Sequence, residues 1–428
     1  MASFSIPLSG LEADTTALNT IANNLSNMNT TAFKTQTTNF SNLFFQQIGE
    51  SGSGNPIQVG AGTQVASNST DYSQGAYNTS GMSTSDMAID GNGFFVVHDI
   101  GGATAYTRDG AFSQDTSGNL VATDGSTLMG YPATNGVVDT SAPLTAITLP
   151  LEGEVQLPAA TQNISMTANL DSAASNNTTF PATVSVYDSI GTSQNVTVTY
   201  TEVSPGTWTY SANIPAASFT GGVQPPPITG TLTFDQNGNL ASVTPTGGAA
   251  ETVGTATGDV SSIPLSFTGL ADGAKTLNLN WNLLGSAGTP NISQVDAASA
   301  VSGTTADGNG AGTCTGFTIG SDGLVTATYT SGSQIVGQVA LADVTNLQGL
   351  NIEANGEYQT TLASGTASVG ASGTGGLGGI QDSALEDSNV SISSEFSDLI
   401  IAQQGFDANS KAVTTFDQVS QDTLNMIH

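Results

Sequence analysis

Basic side chains are almost missing from this chain. Lys34, Arg108, Lys275 and Lys411 are the only four in 428 residues, against 34 acidic ones, for a formal charge of −30. Neutralising a phosphate backbone takes several Lys or Arg side chains, so nucleic-acid binding is excluded as a function class. The same charge opposes adhesion to an anionic membrane surface. Cys314 is the single cysteine, so no intrachain disulfide can form. His98 and His428 are the only histidines, too few for a soft-metal site of ordinary spacing. No run of about 18 apolar residues suggests a membrane span, so no membrane insertion is expected. The opening MASFSIPLSG has neither the basic nor the apolar stretch of a cleaved signal peptide. Cytoplasmic residence, or export by a route without a cleaved signal, is expected.

Charged residues make up only 9% of the chain. Ser, Thr, Asn and Gly cover the surface instead, the composition of Thr-rich β-domains with many tight turns. Patterned Val, Ile, Leu and Phe oppose disorder for most of the length. A chain of this size divides into about two to four domains.

Helical spacing occurs at the two ends. Leu11, Leu18 and Leu25 recur every seven residues, with Ile21 and Met28 between them, and polar Asn27–Thr31 should weaken the helix. Near the other end Leu385, Ile392, Leu399, Phe406 and Val413 keep the same spacing, Phe396 broadens the stripe, and Phe416, Val419 and Ile427 continue it. A continuous helix from Ile392 to Ile427 would be roughly 54 Å long. Gly405 within it costs about 1 kcal/mol of propensity with no local reason.

Between the ends the period changes to two. AIDGNGFFVVH reads as a turn followed by a core strand. One hairpin pattern appears three times, in FSQDTSGNLV from Phe112, LTFDQNGNLASV from Leu232 and FTIGSDGLVTATYTSG from Phe317. Their unequal spacing argues against a solenoid. Spaced prolines around 147–160 mark a boundary, after which alternating strands form a separate β-domain over about 150–290. GASGTGGLGG at 370–379 reads as a flexible connection.

No catalytic constellation emerges, and no cofactor is expected. Cys314 reads as an inert thiol and His98 as the edge of a core strand. Asp235, Asn237 and Asn239 begin like a calcium loop, but Leu240 and Thr246 stand where the loop needs Gly and Glu, so a hairpin turn is favoured. Trp208 and Tyr210 read as core packing.

SGLEADTTALNTIANNLSNMNTTAFK, AIDGNGFFVV and ALEDSNVSISSEFSDLIIAQQGFDANSKAVTTFDQVSQDTL together resemble the motifs of the bacterial flagellar rod/hook axial protein family. Ala32 stands where that pattern has Gly, Ser391 where it has Asp and Gln404 where it has Arg. Length and the β-insertion resemble its hook-forming members; a distal-rod or other axial subunit, or a secreted β-rich adhesin, are the rival readings. The resemblance implies a mainly β fold with paired terminal α-helices, made of discontinuous nested β-domains and an axial coiled-coil-like domain. It divides the chain into an inner axial helical domain (1–34 and 385–428), connecting extended segments (35–70 and 361–384), an inner β-domain (71–149 and 291–360) and an outer inserted β-domain (150–290). It implies a tubular homopolymer outside the cell, exported through the flagellar channel, that passes motor torque while bending. Implied partners are further copies, rod and hook–filament junction proteins, and the hook cap and export apparatus during assembly. Leu11, Leu18, Ile21, Leu25, Leu385, Ile392, Phe396, Leu399, Phe406 and Val413 become the candidates for the polymerisation interface.

Overall fold

The computed structural model describes residues 4–50, 52, 55–134, 136–285 and 288–426. Its chain leaves from one helix, runs outward through strands, and returns to a second helix beside the first. Helix α1 spans Ser5–Ser26 and α2 spans Ile392–Met426 as one continuous helix of 35 residues. Ile427 and His428 lie outside the described residues. Neither helix is long and apolar enough to cross a membrane. The fold is mainly β with paired terminal helices, as expected.

Helix α1 stops where short polar side chains begin. The Asn27 N–H donates to the Asn23 and Asn24 carbonyls, and its side-chain amide donates again to Asn23 O at 2.9 Å. The next turn puts Ala32 at φ 56°, a left-handed conformation that costs an L side chain about 1–2 kcal/mol. Burial of its methyl and a 2.7 Å bond from its N–H to the Glu386 carbonyl hold it there. The glycine of the family pattern is thus explained by backbone geometry at this position.

The segment after α1 is a two-stage antiparallel ribbon. Gln36–Asn42 pairs with Thr63–Thr70 alongside α1, and Phe45–Glu50 pairs with Pro56–Gly60 farther out. Ser9 Oγ accepts the Thr63 N–H at 3.2 Å and stitches the ribbon to the helix. Phe44, Phe45, Ile48, Ile57 and Val59 on the outer stage are exposed.

Strands of the inner sheet come from both halves of the chain. Phe94–His98 pairs with Thr104–Thr107, Thr127–Thr134 and Gly332–Asp343. Its turn uses Gly91 and Gly93 at φ 114° and 118°. Phe95 and Val97 enter one apolar cluster while Phe94 and Val96 enter another on the opposite face. Burial on both faces is why FFVV is a continuous apolar run and does not alternate.

The outer unit packs two sheets face to face. One has Ser193–Ser204 between Thr179–Tyr187 and Thr207–Asn213, and continues through Ile228–Phe234, Leu240–Pro245 and Glu251–Thr252. Here side chains alternate cleanly, so Val196, Val198 and Tyr200 point inward with Trp208 and Tyr210. The other sheet is built around Asn163–Asp171. Ile292–Val295 and Ala300–Ala306 pair with that strand, so the outer unit runs through 306 and the boundary expected at 290 falls short of it.

All three repeated motifs are hairpins. Asp115 Oδ1 accepts the N–H groups of Ser117 and Asn119, Asp235 Oδ1 those of Asn237 and Asn239, and Asp322 Oδ1 that of Leu324. Gly118, Gly238 and Gly323 take the positive-φ position of each turn. These bonds, that from Asn239 foremost, hold the Asp235 carboxyl below its usual range. The loop thus uses that carboxylate to close its own turn.

Two expectations are corrected. The glycine-rich 370–379 stretch is a structured turn between strands of two sheets: Ser368–Ala371 pairs with Gly332–Asp343, Gly379–Asp382 pairs with Met87–Asp90, and the Gly373 N–H donates to Gly378 O. Its glycines supply positive φ, at 74° for Gly373 and 92° for Gly376, and so serve a turn instead of a free linker. Leu385 is not on the helical stripe. It pairs with Asn78 as a strand residue, seven positions before α2 begins.

Replacing Ala32→Gly should stabilise the monomer by about 1 kcal/mol, because the left-handed penalty exceeds the added unfolded-state entropy. Urea unfolding read by helical circular dichroism checks this; a less stable variant would show that the methyl's packing dominates.

Candidate functional site

The two helices lie against each other along the length of α1, from Asn24 beside Glu395 to Phe4 beside Phe416, and α1 is the main element packed on α2. Their buried seam is not the leucine stripe. On α1 the buried residues are Pro7, Gly10, Ala13, Thr20 and Asn24. A Cβ on Gly10 would sit 2.5 Å from Asn409 Nδ2, and one on Gly405 would sit 3.3 Å from the Asp14 carboxylate. Asn409 Nδ2 donates to Asp14 Oδ2 at 2.8 Å. Gly405 is therefore placed where α2 approaches Asp14, which gives its propensity cost a local reason. Small residues let the helices close, and polar side chains fix their register. At one end of the seam the rings of Phe4 and Phe416 meet at 6.1 Å.

At the other end Asn24 joins three elements. Its Nδ2 donates to Gln36 O and to both Glu395 oxygens, and its Oδ1 accepts the Gln36 N–H at 3.0 Å. Glu395 is the one buried residue of α2. Burial raises its carboxyl above the ordinary 4.5, against the lowering effect of Asn24.

The heptad candidates divide into two sets. Leu11, Leu18, Ile21, Leu25, Leu399 and Val413 are half-buried flanks of the seam. Ile392 and Phe396, both 48% exposed, point away from it, and Phe406 is also exposed. Ile400 and Ile401 were missed by the seven-residue template, yet are 53% and 67% exposed. The signal was present in ISSEFSDLI: Ile392, Phe396 and Ile400 are four apart and share one face. A groove of about 390 Å³ opens beside the pair, lined by Ile21, Phe40, Ile401 and Gly405 with Asp14 and Asp398 at its edge.

Where the helices join the inner sheet, a buried charge cluster forms. Lys34 Nζ lies 2.5 Å from Glu386 Oε1 and donates to Ser73 O, while Arg108 Nη1 lies 3.4 Å from Glu386 Oε2 and its Nη2 donates to Gly91 O at 2.7 Å. The Gly75 N–H also donates to Glu386 Oε1. Arg108 rests over the Phe94 ring at 5.5 Å. Burial lowers the pKa of both cations, and Glu386 counters it. Neither this cluster nor the seam was foreseen as a site.

Among the described residues no group of three or more His, Cys, Asp or Glu comes together to hold a metal. His98 ends its strand, and Cys314 is buried with Sγ 3.6 Å from Gly316 O. Trp208 and Tyr210 lie in the outer core.

A chain whose two ends close into one helix pair, with its β-units between them, has the form of a structural axial subunit. Known proteins agree. Residues 6–34 match the profile described as "Flagella basal body rod protein", 88–169 the "Flagellar hook protein FlgE/F/G D1 domain", 156–309 the "Flagellar basal body protein FlaE D2 domain" and 381–426 the "Flagellar basal body rod FlgEFG protein C-terminal". The second β-profile ends at 309, beside the outer unit's last strand at Ala306. The flagellar hook protein FlgE of Borreliella burgdorferi is 31% identical over 98% of both chains. That of Salmonella typhimurium is 31% identical over 99% of this chain and all of the relative. The crystal structure of Helicobacter pylori flagellar hook protein FlgE2 matches with a TM-score of 0.44 at 13% identity, over 73% of this chain and all of that one. The chain belongs to the flagellar hook protein FlgE family, as a structural axial subunit of the flagellum.

Removing Glu386 would leave Lys34 and Arg108 buried without their counter-charge. Glu386→Ala should cost about 3–5 kcal/mol in urea unfolding of the monomer; a loss below about 1 kcal/mol would reduce the cluster to an ordinary surface pair. Glu395 supplies a pH test. A raised folded pKa leaves the seam fully stable below 4.5 and weakens it as pH rises through the folded value. Glu395→Gln keeps an acceptor for Asn24 and cannot titrate. The melting temperature of the helical signal should therefore favour the variant increasingly between about pH 4 and pH 7. A constant difference would remove Glu395 from that role.

Proposed function

We propose that this chain is the subunit of the flagellar hook, a curved tubular homopolymer that transmits motor torque to the filament as a universal joint. The observation carrying this reading is the exposed apolar face of a helix pair that is already closed on itself. Ile392, Phe396, Ile400 and Ile401 have no covering element in one copy, and leaving such a face in water is unfavourable. Covering it with the same surface of further copies through a non-closing contact yields a helical filament. The helix pair would form the persistent inner tube, while the inner and outer β-units, on less extensive contacts, would slide as the tube bends.

In this reading the four-part division at 1–34 and 385–428, 35–70 and 361–384, 71–149 and 291–360, and 150–290 describes radial layers, with the outer layer extended through 306. Ile392, Phe396 and Phe406 serve contacts between copies; Leu11, Leu18, Ile21, Leu25, Leu399 and Val413 support the pair from its flanks, and Leu385 lies at its root. Rod and hook–filament junction proteins would meet the two ends of the tube. The hook cap and the export apparatus would act during assembly, and the chain would lie outside the cell after export through the flagellar channel. The chain performs no catalysis.

Phe396→Asp and Ile400→Asp should each abolish sedimenting polymer while leaving the β-sheet circular dichroism and its melt unchanged, because each puts a carboxylate into an apolar contact between copies. Leu399→Asp, on the seam flank, should instead also lower the helical signal of the monomer. Polymer forming normally from the first two variants would sink the proposal.

A further inference from the structure

Outside the Glu386 cluster, acidic side chains lack cationic partners. All 34 acidic and all four basic side chains lie within the described residues. Among these residues the only ion pairs are Lys34–Glu386 and Arg108–Glu386, and both of those cations are buried. Lys275 and Lys411 are exposed and belong to neither pair. Helix α1 carries Glu12 and Asp14 with no cation, and α2 carries Glu395, Asp398, Asp407, Asp417 and Asp422 against Lys411 alone. Almost every charge that one copy can present to another is negative.

Such a surface can build few of its contacts from ion pairs between copies, since Lys275 and Lys411 are the only exposed cations that each copy offers against more than thirty carboxylates. The groups left for association are apolar and uncharged polar ones: the outer face of α2 and the exposed Phe45 and Ile48 of the ribbon. Those groups must overcome repulsion between neighbours, and the reach of that repulsion depends on dissolved salt. The screening length is about 30 Å at 0.01 M and about 8 Å at 0.15 M. At the lower value a charge is felt across much of a neighbouring subunit; at the higher one only across the contact itself.

We infer that counterions are a required component of the assembly: copies of this chain associate through uncharged groups, and only where dissolved cations screen the carboxylates between them. The inference rests on the homopolymer reading. It reverses the usual sign, because salt weakens interfaces held by opposite charges, whereas here it strengthens association.

The test uses the full-length chain with sodium chloride as the only added salt. Critical concentration for sedimenting polymer is measured at about 0.01 M and about 0.15 M, both far below salting-out conditions. It should fall about tenfold or more between them. A triple variant, Glu152→Lys, Glu251→Lys and Asp296→Lys, changes exposed side chains outside the helix pair. It should assemble at lower concentration than the natural chain in low salt and respond less to added salt. A critical concentration that is equal at the two salts, or that rises with salt, overturns the inference, as does a triple variant with the natural salt response. Polymer absent at every salt overturns the homopolymer reading itself, and this inference with it.

Discussion

Glu386 is the residue on which the discontinuous fold closes. It belongs to the strand that leads into α2, yet its carboxylate holds Lys34 from the end of α1 and Arg108 from the inner sheet, and its carbonyl holds Ala32. Three segments remote in sequence thus share one buried acid. Burying charge is expensive unless the geometry satisfies it. Here the bonds from Gly75 to the acid, and from both cations to backbone carbonyls, provide that satisfaction. Half of the chain's few cations are committed to this one point, which leaves the surface almost purely anionic.

The two kinds of contact in the molecule follow different physics. The inner and outer β-units are held by apolar clusters whose largest fully buried members include Trp208, Trp281, Tyr200 and Phe95. The helix pair is held by close approach at Gly10 and Gly405 and by the Asn409–Asp14 and Asn24–Glu395 bonds. Most apolar side chains of α2 remain outside that seam. A polar seam inside one copy leaves the hydrophobic effect free to act between copies.

Sequence reading recovered the architecture where periodicity carries it. Alternation in Ser193–Ser204 and the Asp–Gly turns of the hairpins are local signals, and the helices at both ends were visible from their spacing. It nominated the leucine stripe of α1 for contacts between copies and did not reveal the seam within one copy, because leucine at intervals of seven outweighs Gly10, Ala13 and Asn24 in any apolar count. Which side buries depends on how near the second helix comes, and that distance is written in small residues whose partners lie nearly the whole chain away. For the same reason Lys34, Arg108 and Glu386 looked like three scattered charges. Gly405 and the 370–379 glycines were legible as glycines but not as a close approach and a turn between two sheets, since each is defined by a neighbour absent from the local sequence.

The separation between Asn24 and Glu395, 371 positions, has a kinetic consequence. Contacts that close so large a loop form late, after local hairpins have formed, and topologies dominated by them fold slowly. During synthesis the β-units can complete while α1 still lacks its partner, for α2 follows every strand in the chain order. The nascent chain therefore has no finished helix pair with which to nucleate an assembly. Placing half of the pair behind the β-units works as a timing device, and the subunit acquires its axial surface only after those units have been made.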